Sequence, residues 1–450
     1  MPNSSDSDNF LENQLVSARH TGSYENTQET KTSINGGSRW KLHKLFPVPT
    51  HDLGPPPDGG IRAWLHVLAG HLVSFITWGL ITSFGVFQSS YEEMLQEPAS
   101  TISWIGSIQI FLLLLIGTFS GRASDAGLAR EAVLLGSFLI VLGMFISSLA
   151  SQYYQVFLTQ GVVVGIGMGI LYMPGIAVPS SYFKTKKPLA VAVMTSGTGL
   201  GGIVYPAMVQ QLLPRIGFGW TMRSMAFVTL SVSIAINLIL RIHIPPRKSG
   251  PIVDIHAFKD LPYVFFILGF FLIYWPLYFT FYYIDLYGHM YASFSSLDST
   301  NLLLITNALG IPGRILPGFI ASYWLGPLNT AIPTAGFVTI VLYLWPAVAH
   351  ARESLYVFAA AYGLVASAIQ GLFIVSLAAL TDDPSQLGTR MGMVFSVVAF
   401  ASLTGSPIGG AIIQVDGGKY LGAQLWAAST TLLGTMALVV ARVYRTRRVL

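Results

Sequence analysis

Arg314 sits inside an apolar stretch that runs from Asn307 through NALGIPGR to Gly318. On a membrane-crossing helix it lies about nine residues from one end, so about 14 Å deep at the helical rise. An unpaired guanidinium at that depth costs several kcal/mol, so it must face a cavity or a partner rather than lipid. Its planar fork of donors matches a carboxylate, which makes anion binding the first chemistry to expect. The structural alternative is a buried arginine held by backbone carbonyls near Pro312 or Pro317, where proline interrupts the helix ladder.

Tyr274, Tyr278, Tyr282 and Asp285 follow at steps of four, four and three, along one helical face. Tyr274 and Tyr278 fall deep enough to line a cavity; Tyr282 and Tyr287 suit an interfacial aromatic belt. His71 is an intramembrane imidazole able to exchange protons near neutral pH, or else a hydrogen-bonded packing residue, and His66 lies nearer the interface. Asn307, Gln160 and Gln370 are neutral polar groups at membrane depth, suited to interhelical hydrogen bonds or to cargo contact. Gly161, Gly165 and Gly169 recur every four residues and permit close helix approach, either as static packing or as a surface that slides.

The elements that carry these residues are set by composition. Of 450 residues, 52% are hydrophobic and only 10% are charged. A water-facing surface needs about 25% charged residues, so a soluble enzyme, a nucleic-acid-binding domain and a disordered scaffold are all excluded. The solvent is a lipid bilayer. With no cysteine in the chain, disulfides, thiolate metal sites and cysteine nucleophiles are excluded too. Apolar stretches of membrane-crossing length fall near 64–88, 102–121, 131–150, 155–178, 189–212 and 222–240. A second set falls near 262–284, 299–321, 330–348, 354–378, 390–413 and 421–443. The expected organisation is therefore a disordered cytoplasmic tail (1–60), an N-terminal six-helix bundle (61–240), a linker (241–261), a C-terminal six-helix bundle (262–443) and a basic tail (444–450).

With both termini cytoplasmic, twenty of the 25 lysines and arginines fall on the inner side and four on the outer, with Arg314 inside a span. That bias sets orientation and favours an even helix count. Weak internal symmetry adds to it. Ser196–Gly202 (SGTGLGG) in the fifth span is echoed by Thr404–Gly410 (TGSPIGG) in the eleventh, and matched glycine- and proline-interrupted helices mark the repeats of secondary transporters. No phosphate-binding glycine loop, paired intramembrane carboxylates or metal-ligand spacing occurs, so neither ATP hydrolysis, a metal nor any other cofactor is expected.

Residues 58–88 (DGGIRAWLHVLAGHLVSFITWGLITSFGVFQ), 161–183 (GVVVGIGMGILYMPGIAVPSSYF) and NALGIPGR at 307–314 resemble monocarboxylate-porter-like proteins of the major facilitator superfamily, in particular their fungal branch. The resemblance covers most of the chain beyond the tail. It implies an all-α membrane protein of twelve transmembrane helices, as two pseudo-symmetric six-helix bundles around a central cavity. The superfamily's loop signature survives as Gly121-x-x-x-Asp125 with Arg130 after it, which implies a conformational latch there. Ala126 stands where a basic residue is usual, and Ser322 replaces the acid of the second half. Animal lactate carriers have a lysine in helix 1 and an aspartate one turn before the helix 8 arginine. Here the lysine is missing and Gly310 occupies the aspartate position, so obligatory lactate–proton symport is not implied.

The expectation is a secondary-active or facilitative transporter of a small organic acid or carboxylate-bearing metabolite, in the plasma membrane, working as a monomer. Arg314 would anchor the anion, with Tyr274, Tyr278, Asn307, His71, Gln160 and Gln370 as further contacts. Cargo would move down its own gradient or with a co-transported ion, a proton among the candidates. An efflux carrier for a neutral or hydrophobic secondary metabolite is the nearest alternative, and a non-transporting nutrient sensor the second.

Overall fold

The computed structural model describes residues 58–184, 186–241, 253–292, 294–348, 352–381 and 387–449. The expected tail and the middle of the linker lie outside them. Among the described residues all regular structure is helical, and ten stretches are long and apolar enough to cross a membrane. Two of the ten, Ala99–Ser147 and Leu189–Ile239, are broken by a glycine with non-helical backbone, Gly127 at φ 93° and Gly217 at φ 71°. Other residues pay for that left-handed region in steric strain. The arms on either side of Gly217 lie against each other, since the Tyr205 and Thr229 hydroxyls are 2.9 Å apart. Each broken stretch thus holds two arms, and the ten stretches amount to twelve.

The arms are α1 (60–95), α2 (Ala99–Ala123), α3 (Ala129–Ser147), α4 (Tyr153–Ser180), α5 (187–216) and α6 (218–239). They continue as α7 (Leu261–Ala292), α8 (Ser296–Ile320), α9 (Pro327–Leu344), α10 (Arg352–Leu380), α11 (Leu387–Val415) and α12 (Leu421–Val449). Hydropathy locates them to within eight residues at either end. It does not show that α1 comes in three pieces, Gly60–Ile76, Trp78–Thr82 and Phe84–Leu95. Thr77 Oγ1 donates to the Val73 carbonyl at 2.7 Å and Ser83 Oγ to that of Gly79 at 2.6 Å. Such back-bonding bends helices.

Odd-numbered arms start at the end of the bundle where the chain enters α1, here the near end; even-numbered arms start at the far end. Two long seams join the first six arms to the last six. Along one, α2 meets α11, from Ser100 Oγ donating to Gln414 at 3.2 Å (far) to Thr118 Oγ1 donating to the Gly392 carbonyl at 3.2 Å (near). Along the other, α5 meets α8. A Cβ at Gly199 would lie 2.7 Å from the Asn307 carbonyl oxygen, and one at Gly410 3.0 Å from Ser100 Cα. The two glycine runs that echo each other in the sequence therefore do the same job, each letting a backbone of the opposite six come close.

The glycines of α4 serve a different contact. Cβ atoms at Gly161, Gly165 and Gly169 would meet Ile108 Cγ2 at 2.7 Å, Gln109 Cα at 3.1 Å and the Leu112 carbonyl at 2.6 Å, all on α2. This stripe lies within the first six arms and not along either seam.

Candidate functional site

A narrow cavity lies between the two sets of arms. Trp78 (α1), Tyr172 (α4), Tyr274 (α7) and Phe373 (α10) supply aromatic walls; Thr195 and Thr198 (α5), Arg314 (α8) and Gln370 (α10) supply the polar groups. A smaller cavity adjoins it, sharing Arg314, Thr195 and Gly371 and reaching Gly318 and Ala321 nearer the end of α8. Arg314 is the one charged residue lining either. The mostly apolar wall with a few convergent polar groups is the lining expected of a small-molecule site.

The Arg314 side chain is buried, and its contacts are all neutral. Nη1 donates to the Gly310 carbonyl at 3.3 Å and to Ser367 Oγ at 3.1 Å, while Nη2 donates to Gln370 Oε1 at 3.2 Å. The carbonyl used is that of Gly310 and not one at Pro312 or Pro317. A Cβ at Gly310 would lie 2.5 Å from Ser367 Oγ and 3.2 Å from Arg314 Nη1. Glycine leaves the space in which the guanidinium folds back onto its own helix, and a larger side chain here would have to displace Ser367 Oγ.

The other expected contacts divide. Tyr274 and Gln370 line the cavity. Tyr278 lies behind it, stacked on Trp78 with centroids 6.2 Å apart, its hydroxyl buried without a partner. Asn307 belongs to the α5–α8 seam: Nδ2 donates to the Leu303 carbonyl at 3.0 Å, and its side chain occupies the space a Cβ at Gly202 would need. His71 Nδ1 is 2.9 Å from the Val193 carbonyl, tying α1 to α5. Gln160 accepts from the Tyr91 hydroxyl near the far end. His66 bridges the Arg62 carbonyl (2.7 Å) and the Arg241 amide (3.1 Å) at the near end.

Tyr282 and Tyr287 do not form an interfacial belt. Both rings are buried, Tyr282 against Phe84 at 4.8 Å and Tyr287 against Trp345 at 5.4 Å, because this part of α7 is surrounded by other helices. At the near end Asp125 is exposed in the first turn of the π-helical bend Ser124–Leu128, Gly121 precedes it at the end of α2, and Arg130 follows in α3. Ser322 Oγ, at the matching place of the second half, donates to the Gly318 carbonyl at 2.8 Å. Trp78, Tyr172 and Phe373 were not singled out from the sequence, since an aromatic ring in an apolar run carries no mark of a cavity.

Residues 67–370 match the family described as the Major Facilitator Superfamily. The chain belongs to that superfamily. An "MFS-type transporter" of Gibberella zeae is 41% identical over 393 residues, covering 87% of this chain and 89% of the relative. The aspyridones efflux protein apdF of Emericella nidulans is 32% identical over 393 residues, 87% of this chain and 80% of its own. The human organic anion transporter MFSD10 superposes with a TM-score of 0.62 at 16% identity, over 84% of this chain and 98% of that one, a likeness of fold. The protein is thus a multi-pass MFS transporter and not an enzyme.

Proposed function

We propose that this MFS transporter exports an amphipathic metabolite with an aromatic or extended apolar body and one carboxylate or comparable anionic oxygen. The observation that carries this is Arg314, a buried cation on the cavity wall whose partners are all neutral. A desolvated guanidinium without a counter-charge is what an anion needs. The direction rests on the efflux relative. NALGIPGR supports placement among the monocarboxylate-porter-like proteins.

In this reading the halves 61–240 and 262–443 rock about the α2–α11 and α5–α8 seams. The near end faces the cytoplasm, since Arg62, Arg122, Arg130, Lys184, Lys186, Arg241 and Arg390 all lie there, and the membrane is the plasma membrane.

Inside-out vesicles containing the protein, offered aromatic carboxylic acids and their methyl esters, test the reading. Uptake of acids but not esters, lost in Arg314→Gln at equal protein level, is the expected result. A second reading, a neutral apolar cargo with Arg314 structural, is favoured by the aromatic walls. It predicts equal uptake of acid and ester, and a fall in protein level for Arg314→Gln.

A further inference from the structure

At the far end α1 meets α7 so closely that a Cβ at Gly85 would lie 2.5 Å from the Phe281 carbonyl oxygen. This contact between the first six arms and the last six buries polar groups that find no partners. Asp285 is 3% exposed; Oδ2 accepts from Ser89 Oγ and Oδ1 has no partner. Glu92, one turn beyond Ser89, has a buried Oε1 without a partner. Gln88 is fully buried and sits beside both Glu92 and Tyr283. Native interiors rarely leave a buried carboxylate oxygen unpaired.

The orphans at the two carboxylates are acceptors, and two ionised carboxylates in one largely buried seam repel each other and are poorly solvated. A single added proton changes both terms. It removes one negative charge and turns one acceptor into a donor. We propose that Asp285 and Glu92 form a proton-binding site, and that its single proton holds the far end of the transporter closed. Opening hydrates both carboxylates and releases the proton. The proposal rests on the alternating-access reading above.

The charged and titratable neighbours are consistent with it. Glu93 on α1 adds negative charge, and His289 on α7 lies nearby with its Nδ1 3.0 Å from the Phe294 carbonyl. Asp298 of α8 and Arg352 of α10 are paired with each other. Glu92 lies past the first apolar span, which ends at Thr82. Burial pushes its carboxyl from the ordinary 4.5 to about 7, with Asp285 and Glu93 adding to the rise and Gln88 opposing it. A carboxyl raised in the closed form favours closing fully below 4.5, and that preference is lost as pH climbs towards 7.

The chain has no cysteine, so Ser151→Cys and Lys419→Cys, exposed far-end positions in opposite halves, can carry spin labels without background. Distance distributions of the labelled full-length protein in lipid nanodiscs are measured at pH 5 and pH 8 with no cargo present. A short distance at pH 5 and a longer population at pH 8 are expected, with the short distance at both values in Asp285→Asn/Glu92→Gln. Glu92→Gln alone removes the like charge and moves the midpoint to lower pH by at least one unit. Identical distributions at both pH values in the parent, an unchanged response in the double variant, or an unmoved midpoint in Glu92→Gln overturns the proposal. A pH-dependent distance without any vesicle flux would instead count against the export reading alone.

Discussion

The Arg314 guanidinium donates to the Gln370 side-chain oxygen at 3.2 Å, and the Gln370 amide nitrogen is left buried without a partner. The pair spans α8 and α10 and forms the polar edge of an otherwise aromatic cavity. Replacing Gln370 with Glu puts a fixed carboxylate where cargo should place its own. Gln370→Glu should therefore cut acid export at least about tenfold, the equivalent of about 1.4 kcal/mol, while the protein's melting temperature in detergent holds or rises. Flux at the parental rate in that variant would show that cargo does not use this edge.

Gly310 is tested by restoring the missing acid. Gly310→Asp drives a side chain into Ser367 Oγ, and overpacking of this kind costs about 1–3 kcal/mol, visible as lower expression. Ser367→Ala in the same chain should recover the protein level but not acid export, because the new carboxylate neutralises Arg314. Recovery of both would mean that Arg314 is not the anion anchor.

The two glycine systems should fail differently. Gly169→Val pushes α4 off α2 within the first six arms and should lower the melting temperature. Gly199→Val strikes the Asn307 backbone across the α5–α8 seam and should depress flux more than stability, because the seam must rearrange in each cycle. Flux normalised to folded protein separates the two cases.

His71 bonds the Val193 carbonyl and does not line the cavity. His71→Gln can keep a donor there, so flux should stay within about twofold of the parent and the stability loss near 1 kcal/mol. The pH profile of export should not move. A displaced profile would give His71 a proton-handling role.

Much of the architecture was legible because the bilayer imposes it. Spans of about 20 apolar residues, the lopsided distribution of Lys and Arg, and the inward demand on Arg314 all follow from solvation energies that act on each segment separately. The matched runs at 196–202 and 404–410 were visible as a symmetry, although their shared task at the two seams was not. Tyr274 and Tyr278 show the limit. They are neighbours on one face of α7, yet one lines the cavity and the other is covered by Trp78.

From the sequence alone come a lipid-solvated helical transporter and a deep arginine that must look inward. Only the tertiary structure decided which rings surround that arginine, that Gly310 gives it room to fold back, that Asn307 and His71 tie helices together, and that Asp285 and Glu92 share a seam. The physical reason is that the polar residues of α4 and α7 are not gathered on one side of the helix, so apolar side chains occur all round both. Their periodicity therefore does not distinguish a face turned to lipid from one turned to the cavity. That choice is made by the neighbouring helices, through contacts between residues far apart in the chain.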